Sequence, residues 1–297
     1  MTTLVCLGLG YCAAHYVATF GNRFDRVIGT TRSSRAGAAP PARLVEMMAF
    51  DGTTASPALM AQIEESDALL ISASPGETGD PVLACFSDAI ARGRARSIVY
   101  LSTIGVYGDS GGAWVDEESP PRPGSSRSAA RLAAEEAWRR FGAETGKAVA
   151  ILRLAGIYGP GRNALVTLAE GTARRIVKPG QVFNRIHVAD IAQAIEACFA
   201  REAAGLFNLA DDEPAPPQDV IAFAAQLMGQ APPPEIPFAA ARATMGAMAQ
   251  SFYAENRRVR NGKLKTELKV RLAYPTYREG LRALFDERQR MAKESEW

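Results

Sequence analysis

Near its start the chain runs Leu4-Val5-Cys6-Leu7-Gly8-Leu9-Gly10-Tyr11-Cys12-Ala13-Ala14: an apolar stretch, then G-x-G-x-x-A, then an alanine-rich segment. This order constrains the fold more than any other feature. In a strand–turn–helix unit, Gly8 permits the tight turn, Gly10 lets a pyrophosphate approach the backbone, and Ala13 lets the helix pack closely on the sheet. The helix that opens at Tyr11 and Cys12 offers N–H groups and partial positive charge to phosphates. Arg26 to Thr31 reads as the next parallel strand. A chain that uses NAD places Asp or Glu at the end of that strand, on the ribose 2′-hydroxyl. Here the positions hold Arg32, Ser33, Ser34 and Arg35. Guanidiniums with adjacent hydroxyls suit a 2′-phosphate, so the expected cofactor is NADP rather than NAD.

The alternation continues downstream. Strands are predicted at Val45–Phe50, Ala68–Ala73, Ser97–Ser102 and Ala148–Leu154, with helices at Pro57–Glu65, Pro81–Arg92 and Ser126–Glu144. The continuous apolar strands are those of a sheet covered on both faces. The pattern predicts an α/β fold, a doubly wound parallel sheet of Rossmann type with a smaller C-terminal lobe. The dinucleotide domain is expected over residues 1–162, with a return within 182–212, and the lobe mainly over 163–297. In the second half, helices are predicted at Ala164–Arg174, Val188–Ala200, Pro217–Met228, Ala239–Ala249 and Tyr277–Lys293, with strands at Gln181–Asn184 and Leu206–Leu209.

Composition adds exclusions. With 297 residues, 47% apolar, 22% charged and a net charge of +2, the chain is an ordinary globular protein, without the charge bias of a nucleic-acid or membrane partner. No apolar run approaches membrane-spanning length, and the first strand is read as leaving no room for a signal peptide. Cys6, Cys12, Cys85 and Cys198 lack metal-site spacing and are expected as reduced thiols in a cytoplasm. With only His15 and His187, neither a metal cluster nor a nucleophile–His–acid triad is expected. The basic stretch from Arg257 to Arg271 lacks interleaved aromatics and reads as a solvated face.

Several motifs then fall into one order: GLGYCA, Asp51 after the third strand, SAS at 72–74, LSTIGVYG at 101–108, RLAGIYGPGRN at 153–163, RIHVADIAQAI at 185–195 and YPTYREGL at 274–281. In this order the chain resembles the extended short-chain dehydrogenase/reductase family, its epimerase/dehydratase branch, over nearly its whole length. The resemblance implies that Asp51 contacts the adenine amino group, that the backbone at Ser72 and Ala73 lies against the cofactor, and that Thr103 bonds a substrate oxygen. It also implies that the turn from Leu154 to Ile157 holds the nicotinamide and that His187 and Asp190 are structural.

The departure from the family matters as much. Its catalytic Tyr-x-x-x-Lys falls here, aligned through Glu135, on Arg127 and Arg131. An arginine stays charged and cannot exchange the proton as a phenol does. Arg131 could still bond the nicotinamide ribose, and Arg127 could clamp an anionic or carbonyl group. Tyr107 is the first candidate for a substitute proton donor, beside Tyr158, Asp109, Asp116 and Glu117. Two readings remain: an NADP-dependent oxidoreductase or epimerase-like enzyme on a small hydroxyl or carbonyl substrate, or a non-catalytic NADP-binding regulator. The small residues of the Ser126–Glu144 helix suit a homodimer interface of the resembling family.

Overall fold

The computed structural model describes residues 1–32 and 45–294. Among these, strands β1 (Thr3–Leu7), β2 (Arg26–Thr31), β3 (Val45–Ala49), β4 (Ala68–Ile71), β5 (Ser97–Thr103), β6 (Ala148–Leu154) and β7 (Gly205–Leu209) form one sheet. Their order is β7-β6-β5-β4-β1-β2-β3, and every neighbouring pair is parallel. Parallel strands need crossovers, and the apolar helical stretches supply them. Helices α1 (Tyr11–Phe20) and α5 (Val188–Arg201) cover one face. Helices α2 (Pro57–Glu65), α3 (Pro81–Arg92) and α4 (Ser126–Thr145) cover the other.

Strand alternation divides the core between these layers. Leu4, Cys6, Leu70, Val99 and Leu152 point to the α1/α5 side. Val5, Leu7, Leu69, Ile71, Ile98 and Ile151 meet Ile63, Phe86, Ile90 and Trp138 on the other. A fully buried aliphatic side chain of this kind contributes about 1.5–3 kcal/mol. The chain passes from β1 to β2 and β3, then crosses to β4 on the opposite side. That reversal opens a crevice at the carboxyl ends of β1 and β4, where Leu7 pairs with Ile71.

The smaller lobe has its own apolar clusters. Leu165, Ala224, Tyr277 and Leu281 form one, and Ile176, Ala241 and Tyr253 another. Here the sequence reading needs correction. The strand expected at Gln181–Asn184 begins instead at Arg185 and runs to His187, pairing with Gly156–Tyr158. Asn184 is engaged sideways: its amide donates to the Arg257 carbonyl and its oxygen accepts from Val259 N–H. The helix expected at Ala239–Ala249 is two helices, Phe238–Arg242 and Ala247–Ala254, with Gly246 as the N-cap of the second. The helix expected to reach Arg174 stops at Ala169, before Gly171 at φ +67. Two short parallel pairs escaped the sequence reading, Trp114–Val115 with Arg258–Val259 and Arg175–Val177 with Glu235–Pro237.

Candidate active site

The glycine turn is built against two strands. Gly8 has φ +96, and a Cβ there would lie 2.8 Å from the Ala73 amide nitrogen and 3.1 Å from the Ser72 carbonyl carbon. Both constraints require glycine. Gly8 N–H donates to Thr30 Oγ1 at 2.8 Å and Leu9 N–H to the Thr30 carbonyl at 2.8 Å. Gly10 is the N-cap of α1; no side chain caps that helix, and its first turn holds no acidic residue. A Cβ on Gly10 would meet nothing closer than Ser72 Oγ, at 4.0 Å. Open space before an uncapped helix start fits a dinucleotide's pyrophosphate, whose charge the helix dipole favours.

The other cofactor candidates are distributed around this turn. Arg32 is exposed just past the end of β2, whereas Ser33 and Arg35 lie outside the described residues. Asp51 follows β3 and accepts from the Thr53 and Thr54 amides at 2.8 and 3.0 Å, which hold its carboxyl below the usual range. The Ser72 and Ala73 amides donate to the Leu7 carbonyl, fixing the backbone beside the crevice. Cys12 is buried, and burial pushes its thiol up to about 11, so it packs as a small apolar group. Leu154 is buried at the end of β6, and the Ala155 amide donates to the Leu209 carbonyl.

Arg162 was not singled out from the sequence. Its guanidinium lies 5.9 Å from the ring of Tyr11, whose hydroxyl donates to the Pro160 carbonyl at 2.9 Å. A cation therefore stands beside the first turn of α1, brought there from the loop after β6. Its signal was the GPGR run, in which the glycines re-aim the chain.

At the end of β5, Thr103 is half-buried and accepts from the Gly105 amide at 3.1 Å. Among the described residues nothing accepts its own hydroxyl hydrogen, which is left for a ligand oxygen. Helix α4 opens alongside. Ser125 caps it by accepting from Ser128 N–H, and a Cβ on Gly105 would lie 3.1 Å from Ser128 Oγ and 3.3 Å from Thr103 Oγ1. Arg131 donates to the Tyr100 hydroxyl at 3.1 Å, the Leu101 carbonyl at 2.9 Å and Ser74 Oγ at 3.2 Å. It thus ties α4 to the ends of β5 and β4, and by hydrogen count keeps two guanidinium N–H groups in reserve. Arg127 lies one turn nearer the helix start and is exposed, its guanidinium 6.0 Å from the Phe252 ring of the smaller lobe.

The candidate substitute proton donors are all engaged within the protein. Tyr107 is a correction: its side chain is 1% exposed, its hydroxyl donates to Asn208 Oδ1 at 2.8 Å, and burial raises its pKa. It packs under the Arg153 guanidinium, 4.7 Å from the ring, and presents nothing to a ligand. Tyr158 is also buried, bonded to the Thr276 carbonyl, and burial pushes its phenol up. Asp109 accepts from Gly111 and Asn256 amides, Asp116 from Glu118 and Ser119, and Glu117 from Asn208 N–H on β7. All three carboxylates hold loops. His187 accepts from Ala189 N–H and packs between Tyr158, edge to face, and a tilted Tyr274, while burial lowers it to about 4. Asp190 accepts from the Ala273 and Tyr274 amides, which fastens the C-terminal segment to α5.

A buried ion pair underlies the site. Arg153 on β6 pairs with Glu135 on α4 at 2.7 Å, both almost wholly buried, and Ser102 donates to the same carboxylate. The pair fixes α4 against β5 and β6 and so sets where Arg127 and Arg131 stand.

Residues 86–210 match the model of the NAD dependent epimerase/dehydratase family. A solved structure from Silicibacter pomeroyi, described as a functionally unknown conserved protein, is 44% identical, with a TM-score of 0.86 over 97% of this chain and 100% of that one. The dTDP-glucose 4,6-dehydratase of Bacillus anthracis, solved with NAD, has a TM-score of 0.76 over 98% of this chain and 97% of its own, at 16% identity. The chain belongs to the NAD-dependent epimerase/dehydratase family. Among curated proteins, a 3-diazoavenalumate denitrifying reductase from a Streptomyces species is 28% identical over 200 residues, 63% of this chain and 64% of that protein. The family's fold follows.

Proposed function

We propose that the protein is an NADP(H)-dependent reductase acting on a small electron-poor substrate bound between Thr103 and the smaller lobe. The observation that carries this reading is the joint placement of an uncapped glycine turn and an unencumbered Thr103 hydroxyl at one crevice. Arg32 past β2, where an NAD enzyme would carry an acid, supports NADP. Bound there, the dinucleotide would supply hydride. Thr103 would donate its hydrogen bond to a substrate oxygen, and Arg131 would use its two remaining N–H groups on ribose hydroxyls.

With Tyr107 and Tyr158 buried, protonation falls to water. This favours acceptors that take hydride without a concerted proton from a side chain. The reductase name of the curated relative, which refers to a diazo compound, agrees with that class of acceptor. A ligand that is a small molecule, and a homodimer through the outer face of α4, belong to the same proposal. The absence of a usable tyrosine also favours a second reading, a cofactor-binding regulator without turnover.

NADPH oxidation by the full chain, across a panel of small aldehydes, ketones and electron-poor aromatic cations, separates the two. The reductase reading expects turnover on at least one class, with kcat/KM lowered about 100-fold by Thr103→Ala, as for loss of one donor to a developing oxyanion. Bound NADPH without oxidation across the whole panel would replace it with the regulator.

A further inference from the structure

Arg127 carries a charge at the start of α4 that no ion pair compensates among the described residues; its recorded partner is the Phe252 ring. Glu255, which lies against Gly124 just before α4, is bound to Arg257 at 2.7 Å. Arg127 precedes Arg131 by four residues and so shares its side of the helix. Arg131 reaches Leu101 and Ser74 at the strand ends, which puts Arg127 one turn further out, beyond Thr103.

Across the cleft, the helix Ala247–Ala254 buries Tyr253 in the lobe but bares Met248 and Phe252, 63% and 55% exposed. These two are four residues apart and lie on one helix face. Met248 and Phe252 are thus left largely in water, with the Arg127 guanidinium over one side of the Phe252 ring. They form a surface for something flat, with a charge that arginine can grip. A carboxylate suits the bidentate fork, and a conjugated ring suits the face of phenylalanine.

We infer that Arg127 and Phe252 recognise a planar conjugated carboxylate, laid across the cleft mouth with its anion on the guanidinium and its ring on the phenyl face. This deepens the reductase reading and rests on that cleft being the substrate site.

Calorimetric titration of the full chain, with and without saturating NADP+, tests it with three probes: trans-cinnamate, its neutral amide and 3-cyclohexylpropanoate. Cinnamate is expected to bind at least tenfold more tightly than either control. Arg127→Ala should weaken cinnamate at least tenfold, with Arg127→Lys intermediate. Phe252→Leu should erase the preference for cinnamate over the cyclohexyl acid. Both side chains are exposed, and unchanged melting curves would verify folding. Equal binding of acid and amide, an Arg127→Ala variant that binds as the parent does, or no cinnamate binding would overturn the inference. The cofactor is titrated separately: NADP+ binding without cinnamate binding sinks only this inference. Arginine-dependent cinnamate binding without NADP+ binding sinks only the reductase reading.

Discussion

Gly8 shows how a single residue joins fold to function. Its positive φ and the 2.8 Å approach of the Ala73 amide leave no room for a side chain. Gly8→Ala would have to move the β1–α1 turn away from β4, into the space where phosphates would sit. The expected result is a loss of stability of about 1–3 kcal/mol, by urea unfolding, together with loss of dinucleotide binding. An alanine variant that binds cofactor normally would show that the turn does not form the phosphate site. This residue was legible because the backbone requirement is local. Tyr107 was not: its burial depends on Arg153 and Asn208, which come from strands far along the chain.

At the scale of elements, the Arg153–Glu135 pair clamps α4 to the sheet. A strand covered on both faces has no water for a guanidinium, so the arginine in Ala148–Leu154 had to find a buried acid. That was the available sequence signal, although its partner was not readable from spacing. Glu135→Ala leaves Arg153 charged and alone, at an expected cost of about 3–5 kcal/mol. Urea unfolding measures it, and a cost under 1 kcal/mol would mean that the pair does not hold the helix. The helix cores and their parallel strands were legible because their apolar periods repeat over many residues. The lobe's short pairs were not, because two- and three-residue strands carry no period, and Gly246 breaks an otherwise continuous helical pattern.

Across the whole molecule, the join between sheet and lobe carries a buried acid. Asp211 follows β7, is 2% exposed, and burial raises it to about 8. Its folded pKa exceeds the unfolded value near 3.9, so the folded state binds the extra proton between these limits. Its stabilising contribution is fully present at low pH and is lost as pH rises towards 8. His187, lowered to about 4, acts oppositely, removing stability as pH falls below about 6.5. Asp190, raised to about 6, has nearly finished its change by pH 7, where an unfolded-state histidine has also lost most of its protons. Between pH 7 and 8 the Asp211 effect therefore dominates these two. Thermal midpoints should fall with rising pH over that window, and Asp211→Asn should flatten the slope. An unchanged slope would remove Asp211 as its source.

The crevice between β1 and β4 is proposed as a dinucleotide site that prefers the 2′-phosphate. Side-by-side calorimetric titration of the full chain with NADPH and NADH tests this most directly. Binding of both, with NADPH at least tenfold tighter, is the predicted result. Equal or tighter binding of NADH would contradict the reading of Arg32 and leave the fold standing. No binding of either would contradict the central claim itself.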